Sequence, residues 1–131
     1  MISWEMATVG HPLSDLANFT TPYVLAVDKG GPRYPPAFLP GATPGLPTEQ
    51  QIIRWYAEVA GWDPAPDMTW GAAFGMFRSS IIMQGIAARY ARRQASSANA
   101  KSYADMMQPF GEFTWTLIEK AKNSTRSKLR L

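Results

Sequence analysis

Half of residues 28–47 are glycine or proline, and no other feature restricts the fold as strongly. Gly30, Gly31, Pro32, Pro35, Pro36, Pro40, Gly41, Pro44, Gly45 and Pro47 follow one another too closely for any ladder of backbone hydrogen bonds. Proline lacks the N–H and fixes φ, and glycine loses the most backbone freedom when it is ordered. A connection this long inside a small domain is either functional or mobile. Tyr34, Phe38 and Leu39 lie within it and predict that part of it packs down. Regular structure must therefore form on either side, within 131 residues that suffice for one domain around one core.

On both sides the apolar residues recur with helical period. Gly10-His11-Pro12 opens a short helix, with Pro12 suited to its first turn and Leu13, Leu16, Ala17 and Phe19 on one face. That helix is expected to end before Pro22, because the residue preceding a proline disfavours helical geometry. Thr48-Glu49-Gln50-Gln51 fits a capping box, in which Gln51 reaches back to Thr48. Ile52, Ile53, Tyr56, Val59 and Ala60 should form the buried stripe of the helix that follows, and Gly61 its stop.

A third helix is predicted from Asp67 to about Arg93, with Phe74, Phe77, Ile81, Ile82, Ile86 and Tyr90 on its apolar faces. Gly71, Gly75 and Gly85 weaken its interior unless they allow a neighbour to pack closely. Ser96–Asn99 reads as a turn. A last helix should cover about Ala100–Lys122, kinked at Pro109, with Tyr103, Met106, Met107, Phe110, Phe113, Leu117 and Ile118 facing inward. Met76, Met83, Met106 and Met107 read as gap-filling core. No strand-rich region and no internal repeat occur, so the expected fold is mainly α.

Composition removes several function classes. Cysteine is absent, so disulfides, thiolate metal sites and cysteine nucleophiles are excluded. This fits an intracellular, cytoplasmic protein. No apolar run approaches the roughly 20 residues of a membrane span, so no membrane partner is expected. A net charge of +3 raises the question of nucleic acid. The excess sits at Arg89, Arg92 and Arg93, at a predicted helix end, and at Lys120, Lys122, Arg126, Lys128 and Arg130 after the last acid, Glu119. Without interleaved aromatics that pattern predicts no nucleic-acid partner. Residues 123–131 read as a basic tail, either solvated or a site for phosphate or an acidic partner.

The first residues carry a resemblance. Ile2-Ser3-Trp4-Glu5 followed by Thr8-Val9-Gly10-His11-Pro12-Leu13-Ser14-Asp15-Leu16-Ala17 resembles a signature of the aminoglycoside phosphotransferase and choline kinase superfamily. There the pattern is I/L-D-W-E, then T-x-G-D/H-P-x-x-D-L-A. The Gly-His-Pro-Leu-Ser-Asp-Leu version is similar to the kinase-like domain of acyl-CoA dehydrogenase family members ten and eleven. Gly45-Leu46-Pro47-Thr48, Gln84 to Tyr90 and Gln108-Pro109 resemble the same group in the same order. The resemblance implies that residues 1–122 form the helical C-terminal subdomain of a protein-kinase-like phosphotransferase fold. It also implies ATP and Mg²⁺ as cofactors and a small-molecule hydroxyl as phosphoryl acceptor.

This sequence departs from that pattern where chemistry is concerned. The aspartate that binds Mg²⁺ in the family is Ser3 here, and a neutral hydroxyl does not offset dication charge. Glu5 is either near a metal or a solvent-facing or salt-bridged acid. No H-G-D-x-x-x-x-N loop stands in the chain, whose one histidine is His11, and Gly30-Gly31 lacks the strand context of a phosphate loop. No catalytic residue is assigned, and the chain alone is expected neither to bind Mg²⁺–ATP nor to turn it over. His11 reads as a turn or cap residue. Asp15 reads as a structural residue holding backbone amides, with a direct role as the alternative. Trp70, Phe74 and Phe77 line either a substrate pocket or the core.

Charged residues make up only 18% of the chain against 46% hydrophobic ones. This leaves a rival reading: a non-catalytic helical interaction module that covers an apolar face by forming a homodimer. Met1 to Phe19 is the expected interface.

Overall fold

The computed structural model describes residues 9–29 and 33–129. It is mainly helical, with no strand among the described residues. Helix α1 spans Leu13–Ala26, α2 Glu49–Ala60, α3 Met68–Ala91, α4 Ala100–Asp105 and α5 Met107–Leu129. The long α3 is the centre of the molecule, with α1, α4 and α5 packed against it.

Local chemistry sets most of the helix ends. The Thr48 hydroxyl accepts the Gln51 amide at 3.2 Å, and the Gln51 side chain accepts the Thr48 amide at 2.8 Å. Two N–H groups that the start of α2 would leave unpaired are thus satisfied reciprocally. Gly61 closes α2 in the left-handed region at φ 66°, as its sequence position predicts. The end of α3 also has a left-handed residue, but it is not glycine. There Gln94 donates to Arg89 and Arg93 to Tyr90, with Arg93 itself at φ 57°.

Pro22 does not end α1. The helix continues to Ala26 because Tyr23, Leu25 and Ala26 are buried, which offsets the N–H that Pro22 lacks. The Thr21 hydroxyl also donates to the Ala17 carbonyl at 3.0 Å, one turn earlier. Conversely, the last helix is broken rather than kinked. It stops at Asp105, turns at Met106 and restarts at Met107. Pro109 then falls in the first turn of α5, where its missing N–H has no intrahelical partner to lose. The basic segment beyond Lys122 continues α5 to Leu129, with Arg126 exposed.

The core comprises two joined clusters. Leu25, Ala72, Ala73, Met76, Phe110, Phe113 and Leu117 bind α1, α3 and α5 together. Leu16, Tyr23, Ile52 and Met68, with Leu13, Phe38, Leu46, Ile53 and Tyr56 around them, bind α1, α2 and the Pro/Gly segment. Phe38 ends a single 3₁₀ turn, Pro36–Phe38, and stands edge-on to Tyr23 at 5.2 Å. Part of the Pro/Gly segment therefore packs down, as its aromatic residues predict.

The face of α3 that is buried differs from the expected one. Met68, Gly71, Ala72, Ala73, Gly75 and Met76 are inside. Phe74, Phe77, Ile81, Ile82 and Tyr90 are instead 44–53% exposed, and Ile86 is half-buried. Small residues let α1 approach closely: a methyl built on Gly71 would lie 3.1 Å from Leu13 Cγ and 3.2 Å from Ala17 Cβ. In α2 only Ile52 is fully buried, while Ile53 and Tyr56 are half-buried. Val59 and Ala60 are exposed, because the second turn of α2 already meets the cluster and the last turn overhangs it. Met76 is a core residue, whereas Met107 is exposed.

Candidate functional site

A cleft of about 470 Å³ opens where α2 begins, within the usual size of small-ligand sites. Its apolar lining is Val24 and Val27 from the end of α1, Ile53 from α2, Met68 and Ala72 from α3, and Phe113 and Leu117 from α5. Thr69 and Thr116 add hydroxyls, and Asp28, Glu49 and Lys120 add charge. The cleft follows from how α2 is anchored. Ile52 and Tyr56 hold the helix on the second cluster, so Ile53 and the first turn face open space beside α5.

Glu49 stands partly buried in the cleft. Burial pushes its carboxyl above the ordinary glutamate value, and the charge of Lys120 pulls it partway back. The capping box fixes the first turn of α2 and so holds Glu49 in place. No described residue donates a hydrogen bond to its carboxylate, and no ion pair joins it to Lys120. Acid and base thus share one apolar cleft without touching.

Residues singled out by sequence fall elsewhere. Ser3 and Glu5 lie outside the described residues. His11 is a cap: its Nδ1 accepts the Leu13 amide at 3.2 Å, and its ring stands edge-on to Trp62 at 5.2 Å. That bond requires the tautomer with the proton on Nε2. Asp15 is exposed in the first turn of α1, where a negative charge complements the helix dipole, but its carboxylate holds no backbone amide among the described residues. Trp70, Phe74 and Phe77 line neither the core nor the cleft. With Ile81 they form an exposed stripe on α3, roughly half a turn round the helix from Met68 and Ala72. The indole N–H of Trp70 donates to Thr125 Oγ1 at 3.3 Å.

Among the described residues, no three His, Asp or Glu side chains gather as a metal site would require. Sequence reasoning missed Glu49 and Lys120. Glu49 counted only as a position inside a capping box and Lys120 only as one of several late basic residues. Their juxtaposition is tertiary and leaves no local signal.

Fold and cleft together define a mainly helical protein with an amphipathic cleft. No family model matches the sequence, and no solved structure matches it. The chain is similar to acyl-CoA dehydrogenase family member 11, being 31% identical over 116 residues of the Homo sapiens protein and 32% over 117 residues of the Rattus norvegicus protein. It is also 26% identical over 133 residues to acyl-CoA dehydrogenase family member 10 from Mus musculus. The two member 11 alignments each take in 86% of this chain and 14% of the relative, and the member 10 alignment 92% and 11%. The chain thus spans about one-seventh of the length of the member 11 proteins it matches.

Proposed function

We propose that this chain is the helical part of a small-molecule kinase-like domain, supplying a wall of the acceptor site rather than phosphoryl transfer. The supporting observation is the path of α1. The segment Thr8 to Ala17 that resembles the phosphotransferase signature leads into this helix, and the helix ends in the cleft at Val24, Val27 and Asp28. Phosphoryl transfer needs dications held by carboxylates and a positioned base. Ser3 stands at the family's metal position, so the chain acts as a catalytically incomplete relative. Isothermal titration with Mg²⁺–ATP should give no binding, and Ser3→Asp alone should not create activity. A dissociation constant in the low micromolar range for either protein overturns this reading.

The α3 stripe favours a second reading, a helical interaction module. Trp70, Phe74, Phe77 and Ile81 recur at helical spacing and are each 42–52% exposed, a contiguous apolar strip of the kind that marks contacts. If this chain dimerises, the stripe is a better interface than Met1 to Phe19, whose described part buries Leu16 and Ala17 within the fold. Light scattering at tens of micromolar tests this reading. A monomeric mass without binding of a hydrophobic dye removes it.

A further inference from the structure

We infer that the cleft between α2 and α5 binds a small zwitterion with an apolar body, such as an apolar α-amino acid. Its ammonium would meet Glu49 and its carboxylate Lys120. Three observations carry this. First, the lining joins apolar side chains, including Met68, Phe113 and Leu117, to charges of both signs. Second, two of those charges, Glu49 and Lys120, are not paired within the protein. Among the described residues, Glu49 receives no hydrogen bond and Lys120 makes no ion pair, although both line one cleft and sense each other's charge. A partly buried carboxylate without donors is costly, and an ammonium would supply three of them. Third, Thr69 adds a hydroxyl to the same lining, while Thr116, whose hydroxyl donates to the Glu112 carbonyl at 3.1 Å, offers its oxygen only as an acceptor.

The two signs distinguish ligand classes. A simple amine would satisfy Glu49 but face Lys120 with like charge. A simple carboxylate would satisfy Lys120 and be repelled by Glu49. Only a ligand carrying both matches both, and an apolar side chain gains from leaving water for the apolar lining at roughly 25 cal/mol per Å². The inference uses the same cleft as the preceding section but not phosphoryl transfer, and it needs no nucleotide.

The test uses three compounds of nearly one shape: phenylalanine, phenethylamine and phenylpropionate. Each is titrated into the 131-residue protein without ATP, followed by calorimetry and by amide shifts at Thr69, Phe113 and Thr116. Phenylalanine should bind, with each single-charge analogue about tenfold weaker or more. Glu49→Gln and Lys120→Met should each weaken phenylalanine by about tenfold, whereas Trp70→Ala, outside the cleft, should not. Thermal unfolding of each variant confirms that it is folded. The inference is overturned if phenylalanine fails to bind up to about 10 mM. It also fails if either analogue binds as well, or if neither cleft variant weakens binding. ATP binding in a separate titration would refute the reading of a catalytically incomplete relative while leaving this one standing.

Discussion

Alanine placed at each of two helical glycines should have opposite effects on stability, and the tertiary structure decides which. Replacing glycine by alanine inside a helix gains about 1 kcal/mol, because the unfolded chain loses freedom it would otherwise give up on folding. Gly111, in α5, has nothing within 4 Å of an added methyl, so Gly111→Ala should realise most of that gain. Gly71, in α3, is different. Its added methyl would stand 3.1 Å from Leu13 Cγ, 3.2 Å from Ala17 Cβ and 3.3 Å from Leu13 Cδ1, inside the optimum carbon separation of about 3.5–4.0 Å. Leu13 can rotate, but the methyl of Ala17 is fixed to its helix backbone, so α1 must shift. Overpacking of this kind costs about 1–3 kcal/mol, which turns the gain into a net loss of about 1 kcal/mol. Urea unfolding at 25 °C would measure both variants, and the difference between them should be about 2 kcal/mol. In thermal melts each change corresponds to about 3–5 °C for a domain of this size. If Gly71→Ala stabilised the protein as much as Gly111→Ala, the close approach of α1 to α3 would be refuted.

Three further outcomes follow from single features. Thr48→Ala should lose about 1 kcal/mol, and adding Gln51→Ala should cost little more, since the two side chains share one capping box; additive losses in urea titrations would contradict that geometry. Arg93→Gly should raise stability by about 0.5–1 kcal/mol, because relief of the left-handed conformation at φ 57° exceeds the added freedom of the unfolded chain; a lower melting temperature would count against it. Glu49 has a folded-state pKa above its unfolded value, so in that interval the folded state binds more protons and stability falls as pH rises. Glu49→Gln should therefore stabilise the protein at neutral pH, with the advantage fading below the ordinary glutamate value. A gain that persisted unchanged at acid pH would show that ionisation of Glu49 is not the cause.

What the sequence alone determined is what is decided within about one helical turn. Thr48 and Gln51 are three residues apart, so their reciprocal bonds needed no tertiary partner to be predicted. The same holds for the Gly61 stop and for His11 at the start of α1. The Pro/Gly run was correctly excluded from long regular elements, because backbone chemistry forbids them there. The buried side of α3 could not be read this way. That helix is apolar almost all the way round, so periodicity does not choose a face. Shape chose it: Gly71, Ala72 and Gly75 let another helix come close, and the bulky Phe74, Phe77 and Ile81 were left outside. Pro22 is a related case, since a local rule against continuing the helix was outweighed by burial of Tyr23, Leu25 and Ala26. The cleft is the furthest from local. Glu49 and Lys120 stand 71 positions apart in sequence and share one cleft only because the fold brings the start of α2 near α5, and nothing within a few residues of either side chain encodes that juxtaposition.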